Sequence, residues 1–191
     1  RRQLGGGPLM PKIYKLNNPL SRRYYDVKDL FCGSMIPWTH NSSGGKDAGV
    51  ECQDEGHDFM PFLSHAMLVR PEMYGYPVQA SNLLPMVMDL IAEILKYNNM
   101  WPLKAVHRVN ANLVFPTQKM RPSEPHVDHQ FPHQNLLIYL TDQGGNTVVD
   151  DEVYAPKEDD IITFDGSLVH CMHPPKTGGR VVIIATYELA D

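Results

Sequence analysis

Two residues with metal-ligand chemistry lie close together in the segment EPHVDHQ, which runs from Glu124 to Gln130. His126 and Asp128 are two positions apart, and side chains at that spacing project from the same face of an extended strand. A neutral imidazole and a carboxylate together suit a divalent metal such as Fe(II), Mn(II) or Zn(II). Because the HxD pattern also occurs in turns and at helix starts, the pair alone is weak evidence for a metal site.

Two residues further along the chain strengthen the prediction of a metal site. His170 ends a predicted strand that starts at Ser167, and Arg180 begins the next predicted strand. Two histidines and one carboxylate form the facial triad of non-haem Fe(II) oxygenases, which leaves coordination positions open. Arg180 is suited to binding the carboxylate of a ligand, because a guanidinium pairs with a carboxylate through two parallel hydrogen bonds.

Strands must position most of these residues. Short apolar or alternating segments, divided by turns rich in Gly, Pro and Asp, predict strands over residues 104–115, 135–141, 161–164, 168–170 and 180–187. This arrangement predicts a sandwich or a small barrel. One clear helix is predicted at about residues 82–98, because apolar residues recur there at helical spacing and Ser81 is a suitable N-cap.

The preceding region, residues 10–79, shows no sustained helical period. We predict short strands at 35–38 and 65–69, a flexible run over 40–49 and a turn at 73–77. Residues 10–103 are expected to support a catalytic core at 104–191, with both regions in a single domain. Residues 1–9 lack an initiating methionine, and we expect them to be a tag or a disordered tail.

Composition limits the function classes. The 191 residues carry a net charge of −5, so nucleic acid is an unfavourable partner. The three cysteines, Cys32, Cys52 and Cys171, form no CxxC pair, and their odd number is typical of reduced thiols. No signal peptide is visible, and charged residues interrupt the most apolar stretch, Leu83–Leu95. We therefore expect a soluble, cytoplasmic protein without a membrane partner; its oligomeric state stays open.

The C-terminal half resembles the Fe(II)/2-oxoglutarate-dependent dioxygenases, in particular the prolyl-4-hydroxylase-like branch that includes many small bacterial and phage proteins. The similarity covers roughly residues 104–188. It consists of HVD at 126–128, LLIYLTD at 136–142, GGNT at 144–147, HCMHP at 170–174 and GGR at 178–180. The resemblance implies a mainly β fold, a double-stranded β-helix or jelly roll, with one or more N-terminal helices packed on the outer sheet.

The resemblance also implies roles for individual residues. His126, Asp128 and His170 would bind Fe(II), and Arg180 would bind the C5 carboxylate of the cosubstrate 2-oxoglutarate, with dioxygen as the other cosubstrate. The remaining candidates for the 2-oxoglutarate pocket are Tyr139, Asn135 and Thr186. His173 is the alternative to His170 as distal ligand, although the spacing to Arg180 fits the family better with His170. No catalytic residue beyond the metal centre is implied.

The implied activity is hydroxylation of an unactivated C–H bond, of a prolyl or another peptide side chain, with release of succinate and carbon dioxide. A small-molecule substrate is also open, because the region 10–79 shows no recognisable substrate motif. One alternative is a cupin-like metal enzyme that does not use 2-oxoglutarate and has no need of Arg180. Another is an inactive jelly-roll binding module.

Several other polar or aromatic residues have a structural interpretation. We expect His129 and His133 to be exposed loop histidines, and we favour the solvent face for Arg108, Asn110 and Asn112 over contacts with a substrate. The acidic runs at 150–152 and 158–160 are expected to form a solvated rim. For Trp38, Tyr74 and Tyr76 core packing is favoured over a substrate groove.

Overall fold

Two antiparallel sheets and two helices form the protein in this computed structural model, which describes residues 10–41 and 60–190. Within those residues the larger sheet has eight strands: β1 (Ile13–Leu16), β2 (Thr39–Asn41), β3 (Phe62–Val69), β4 (Val78–Gln79), β5 (Leu103–Val114), β6 (Gln134–Tyr139), β9 (Ile161–Asp165) and β11 (Arg180–Leu189). The smaller sheet has three: β7 (Thr147–Val149), β8 (Glu152–Tyr154) and β10 (His170–Met172). The helices are α1 (Arg22–Cys32) and α2 (Leu84–Tyr97), and Pro71–Met73 form a short 3-10 turn.

Strands that are distant in sequence lie side by side. The larger sheet has the order β1-β9-β6-β11-β5-β3-β2, with β4 paired to β3, and the smaller sheet has the order β10-β7-β8. These non-sequential neighbours and the two sheets are those of a jelly roll, as the sequence predicted. Strands from both 10–103 and 104–191 share the larger sheet, and the division between these regions stays a prediction.

Most of the predicted strands are present. The strands β5, β6, β9 and β11 match the segments predicted at 104–115, 135–141, 161–164 and 180–187, and β3 contains the segment 65–69. The strand predicted at 35–38 is wrong, because β2 begins only at Thr39, and the strand predicted at 168–170 begins only at His170. Of the flexible run predicted at 40–49, the part from residue 42 onward lies outside the described residues.

The central strand β11 separates the core from the other face of the sheet. Its residues Val181, Ile183, Ala185 and Tyr187 belong to the main core. The alternate residues Val182 and Ile184 pack with a second cluster on the opposite face, below the smaller sheet. Because successive side chains of a strand point to opposite faces, Arg180 shares the face of Val182. Both faces of β11 are therefore covered, and the second one contains the candidate site.

Both helices contribute to the main core. Val87, Leu90, Ile91, Ile94 and Leu95 of α2 are fully buried there, which confirms the predicted helix. The predicted N-cap was wrong, because the helix is capped at Leu83 with no side-chain hydrogen bond; Ser81 only accepts a hydrogen bond from the N–H of Leu83, at 3.2 Å. The helix α1 was not predicted from the sequence, because its apolar stripe is narrow: only Tyr24, Val27 and Phe31 are buried. Neither helix is long and apolar enough to cross a membrane.

The acidic runs hold the N-terminal elements to the barrel. The side chain of Lys12 pairs with Asp150 and Asp151, and its backbone N–H donates to Glu152 at 2.7 Å. Lys15 pairs with Asp160 at 2.5 Å. The second run also binds Lys28 and the hydroxyl of Tyr24, through Glu158 and Asp159. Asp150, Asp151 and Glu158 are exposed, as the predicted solvated rim requires, whereas Asp160 is buried. These runs also pair with cations of the N-terminal region, at Lys12, Lys15 and Lys28.

Candidate metal centre

His126, Asp128 and His170 converge on one point. Their potential ligand atoms all lie within 4.8 Å of one another. A single β-bridge positions the two histidines: the N–H of His126 donates to the carbonyl of His170 at 3.0 Å, and the reverse bond is 2.9 Å. Asp128 lies in a bend rather than on a regular strand, so the expected strand geometry of the HxD pair was wrong, although its convergence is observed.

Both histidines present Nε2 to the shared point. The Nδ1 atom of His126 lies 3.0 Å from the carbonyl oxygen of Glu124, and that of His170 lies 3.1 Å from the carbonyl oxygen of Leu168. A carbonyl oxygen can only accept, so each Nδ1 carries the proton and each Nε2 is left with a free lone pair. Burial and the neighbouring His170 lower the pKa of His126, which keeps this imidazole neutral and ready to bind a metal.

Asp128 is held as a carboxylate. It is only 6% exposed. Burial by itself would raise its pKa, but the guanidinium of Arg108 is the largest opposing influence, and the pKa lies well below its usual range. Its Oδ1 accepts a hydrogen bond from Arg108 at 2.7 Å and its Oδ2 one from Asn135 at 3.1 Å. The same Oδ2 lies 3.5 Å from Nε2 of His170, so the three groups offer one charged oxygen and two imidazole nitrogens.

The triad opens into a cavity of about 90 Å³ that also contains Arg180. The guanidinium is 2% exposed, donates from Nη1 to the carbonyl of Gly145 at 2.7 Å and touches the sulfur of Met172. Its Nε has no hydrogen-bond partner in the described part of the chain. Burial lowers the pKa of Arg180. No carboxylate of residues 10–41 or 60–190 pairs with it, and a buried cation of this kind is favourable only beside an anion.

The other residues predicted for the 2-oxoglutarate pocket, Asn135, Tyr139 and Thr186, lie in three different environments. Asn135 lines the cavity, and Tyr139 is fully buried with its hydroxyl 2.6 Å from that of Thr147, which also lines the cavity. Burial raises the pKa of Tyr139 to about 12, although Arg180 opposes the shift, so this hydroxyl stays protonated. Thr186 is buried and bonds Nε2 of His129 at 2.8 Å; it is not among the residues that line the cavity.

The structure corrects the interpretation of the extra histidines. His129 and His133 are each 3% exposed rather than solvated, and His129 lies between Glu72, at 2.6 Å, and Thr186. His129 also stacks on Phe131 with ring centroids 4.7 Å apart. These contacts anchor the segment that carries Asp128. His173 is not part of the convergent group, so the structure favours His170 as the distal histidine.

The polar residues of β5 also face inward. Asn110 and Asn112 are buried, Arg108 and Asn112 line the cavity, and the solvent face favoured for them was wrong. Arg108, which the sequence did not associate with the triad, donates a hydrogen bond to Asp128 at 2.7 Å. Its alternation with Val109 and Ala111 placed it correctly on the face opposite the main core, but alternation does not tell whether that second face is wet or enclosed.

A second, open groove of about 470 Å³ lies beside the cavity and shares Phe62 and Arg108 with it. Ser64, Arg70 and Tyr74 also line it. Tyr74 and Tyr76 are 57% and 65% exposed, so core packing was the wrong prediction for them, whereas Trp38 packs against the main core. The groove and the cavity are therefore adjacent, with Phe62 and Arg108 between them.

Comparison with known proteins shows which fold this is. No sequence-family model matches the chain, and no curated protein matches it by sequence. An oxidoreductase of the 2OG-Fe(II) oxygenase family from Burkholderia pseudomallei is similar in structure, with a TM-score of 0.64 and 13% identity over 86% of this chain and 78% of the other. The non-heme alpha-ketoglutarate-dependent epimerase SnoN from nogalamycin biosynthesis has a TM-score of 0.58 and 15% identity, covering 94% and 78%.

A third similar structure is a prolyl hydroxylase from Trichoplax adhaerens in complex with a peptide fragment of hypoxia-inducible factor. Its TM-score is 0.55 and its identity 10%, over 92% of this chain and 83% of the other. The protein therefore has the fold of the 2-oxoglutarate- and Fe(II)-dependent oxygenases, a double-stranded β-helix.

Proposed function

We propose that this protein is an Fe(II)- and 2-oxoglutarate-dependent oxygenase that hydroxylates an unactivated C–H bond. One observation carries the proposal: a His-Asp-His group and a buried arginine that lacks a carboxylate partner within the described residues share one cavity. The fold is shared with a member of the 2OG-Fe(II) oxygenase family and with an alpha-ketoglutarate-dependent epimerase.

The triad suits Fe(II). His126 and His170 would supply neutral imidazoles and Asp128 one carboxylate, the donor set of the facial triad in which the remaining coordination positions stay open. When bound, iron together with 2-oxoglutarate and dioxygen supplies the oxidising power for hydroxylation, with release of succinate and carbon dioxide. The protein residues orient the groups and exclude water, because most of the cavity lining is apolar, including Met60, Val182 and Ile184.

Arg180 would hold the far carboxylate of 2-oxoglutarate. The guanidinium offers its unpartnered Nε and its Nη2, which touches only the soft sulfur of Met172. Thr147, oriented by the hydroxyl of Tyr139, lies on the same cavity wall. The alternative of a cupin-like enzyme that does not use 2-oxoglutarate leaves this buried cation unexplained, and so does an inactive binding module.

A prolyl or other peptide side chain is the substrate class that we propose. The open groove supports it, because an extended chain lying there would present one side chain to the enclosed cavity. The exposed ring of Tyr74 lines the groove and suits contacts with apolar or proline-rich segments. A prolyl hydroxylase with a bound peptide is among the structurally similar proteins.

Anaerobic titration of the purified protein tests the proposal. Adding Fe(II) and then 2-oxoglutarate should produce a weak visible charge-transfer band that neither component gives alone. Metal binding without this band would favour the cupin-like alternative, and no metal binding would favour the binding module. A succinate-release screen over proline-containing peptides, free amino acids and nucleosides then identifies the substrate class; stimulation only by nucleosides would contradict a peptide substrate.

A further inference from the structure

The two oxygens of Asp128 have different environments. Oδ1 accepts the 2.7 Å hydrogen bond from Nη1 of Arg108, and a second guanidinium, that of Arg70, lies 3.8 Å from it. Oδ2 is the oxygen that lies 3.5 Å from Nε2 of His170. The amide of Asn135 donates to Oδ2 at 3.1 Å. Only one oxygen is thus directed at the convergent point.

We infer that Arg108 is a positioning residue that makes Asp128 bind the metal through Oδ2 alone. The inference rests on the proposed metal site. A carboxylate binds a divalent cation through one or both of its oxygens. A guanidinium at hydrogen-bond distance from Oδ1 both repels the cation and uses the lone pair that chelation would need. One coordination position that a chelating carboxylate would occupy then stays open for another ligand.

The surroundings of Arg108 support this role over that of a surface ion pair. The side chain of Arg108 is 19% exposed and that of Asp128 is 5% exposed, so solvent screens their interaction little. Arg108 lies on β5, where Thr186 of β11 is its register partner. Thr186 in turn bonds His129, the residue after Asp128. The central strands therefore fix both the guanidinium and the segment that carries the carboxylate.

The geometry of the guanidinium also explains why the partner of Asp128 is an arginine. The guanidinium is planar and directs its N–H groups at fixed angles, so the strand can direct one N–H at Oδ1 and keep the charge away from Oδ2. Arg70 reaches Asp128 differently. Its Nη1 donates to the backbone carbonyl at 3.3 Å, and its Nη2 is beyond hydrogen-bond distance of Oδ1. Arg70 therefore provides a matched comparison, a nearby positive charge without the direct bond to the carboxylate.

Water-proton relaxation with Mn(II) as the probe tests the inference without any turnover. In an octahedral Mn(II) site, three protein ligand atoms leave about three water molecules, and a chelating carboxylate leaves about two. Arg108→Met should therefore lower the relaxivity of the bound Mn(II) by about one third. Arg70→Met should keep the wild-type value, and Arg108→Lys, which retains the charge but not the planar donor group, should be intermediate. If Arg108→Met does not fold, Arg108→Leu, which also lacks a donor, replaces it with the same expected loss.

The outcomes separate this inference from the proposed function. Equal relaxivity in wild type and Arg108→Met would overturn the positioning role and leave the oxygenase proposal intact. An equal loss in Arg70→Met would also overturn it, because nearby charge rather than the hydrogen bond would then be decisive. The expected loss in a protein that forms no complex with 2-oxoglutarate would support the positioning role and refute the oxygenase. A wild-type protein that does not bind Mn(II) would contradict both.

Discussion

Replacing Arg180 with methionine should separate cosubstrate binding from metal binding. Arg180 lines the same cavity as the triad but is not one of the convergent ligands. Its hydrogen bonds go to the carbonyl of Gly145 and the sulfur of Met172. Methionine has a similar length without the charge, so the change removes the anion partner and leaves the metal-binding groups in place.

The expected magnitude follows from burial. Removing one partner of a buried ion pair costs about 3–5 kcal/mol, and about 1.4 kcal/mol corresponds to a tenfold change. The affinity for 2-oxoglutarate should therefore fall about 100- to 3,000-fold. The stability of the protein without 2-oxoglutarate should not fall in the same way. There the guanidinium is buried and its Nε lacks a hydrogen-bond partner among the described residues, so its removal should leave the stability unchanged or higher.

The assay combines three measurements on wild type and Arg180→Met: metal content, anaerobic titration with 2-oxoglutarate, and thermal unfolding with and without 2-oxoglutarate. Arg180→Lys keeps the positive charge but lacks the planar guanidinium, so its affinity for 2-oxoglutarate should lie between those of wild type and Arg180→Met. Arg23→Met is the control. Arg23 on α1 pairs with Glu93 on α2 at the protein surface, so its loss should affect none of the three measurements. Equal loss of metal and 2-oxoglutarate, or unchanged 2-oxoglutarate binding, would refute the role assigned to Arg180.

Three further predictions concern the same cavity and its support. His170→Ala should abolish metal binding while His173→Ala retains it, measured as metal content; the reverse result would exchange the two histidines. Gly145→Ala should lower stability by about 1–3 kcal/mol, measured by denaturant unfolding, because φ is +86° and the new Cβ would lie 2.7 Å from a carbonyl oxygen. Asp160→Asn should destabilise the protein more at pH 7 than at pH 3; equal destabilisation at both would contradict the assignment.

The sign of the Asp160 prediction follows from its contacts. Burial alone would raise its pKa, but hydrogen bonds from Lys15, the N–H of Lys157 and the hydroxyl of Tyr154 outweigh burial and lower it. A carboxyl whose folded-state pKa is depressed stabilises the fold above its unfolded pKa, about 3.8–4, and loses that contribution as the pH falls. Asparagine carries no charge at either pH, so the stability difference between wild type and Asp160→Asn should decrease in acid.

The sequence predicted most strands of the larger sheet and the residues that converge at the site, although His126 and Asp128 lie outside regular strands. Alternation along 180–187 placed Arg180 and Val182 on one face, and the structure has both in the cavity lining. The HxD pair and the distant His170 were recognisable because ligand chemistry restricts them to a few residue types at characteristic positions. Strong helical periodicity likewise predicted α2. These features are encoded in short stretches of chain.

Only the tertiary structure shows what covers the face of the larger sheet that lies opposite the main core. Local alternation says which residues share a face, but only the packing of β7, β8 and β10 above it decides that Arg108 and Asn112 are enclosed and not solvated. The burial of His129 depends in the same way on Glu72 and Thr186, which are each 57 residues away in sequence. The narrow stripe of α1 becomes a helix face only against the core that α2 and the sheet provide. The physical reason is that burial is a property of what packs against a residue, and those partners come from distant parts of the chain.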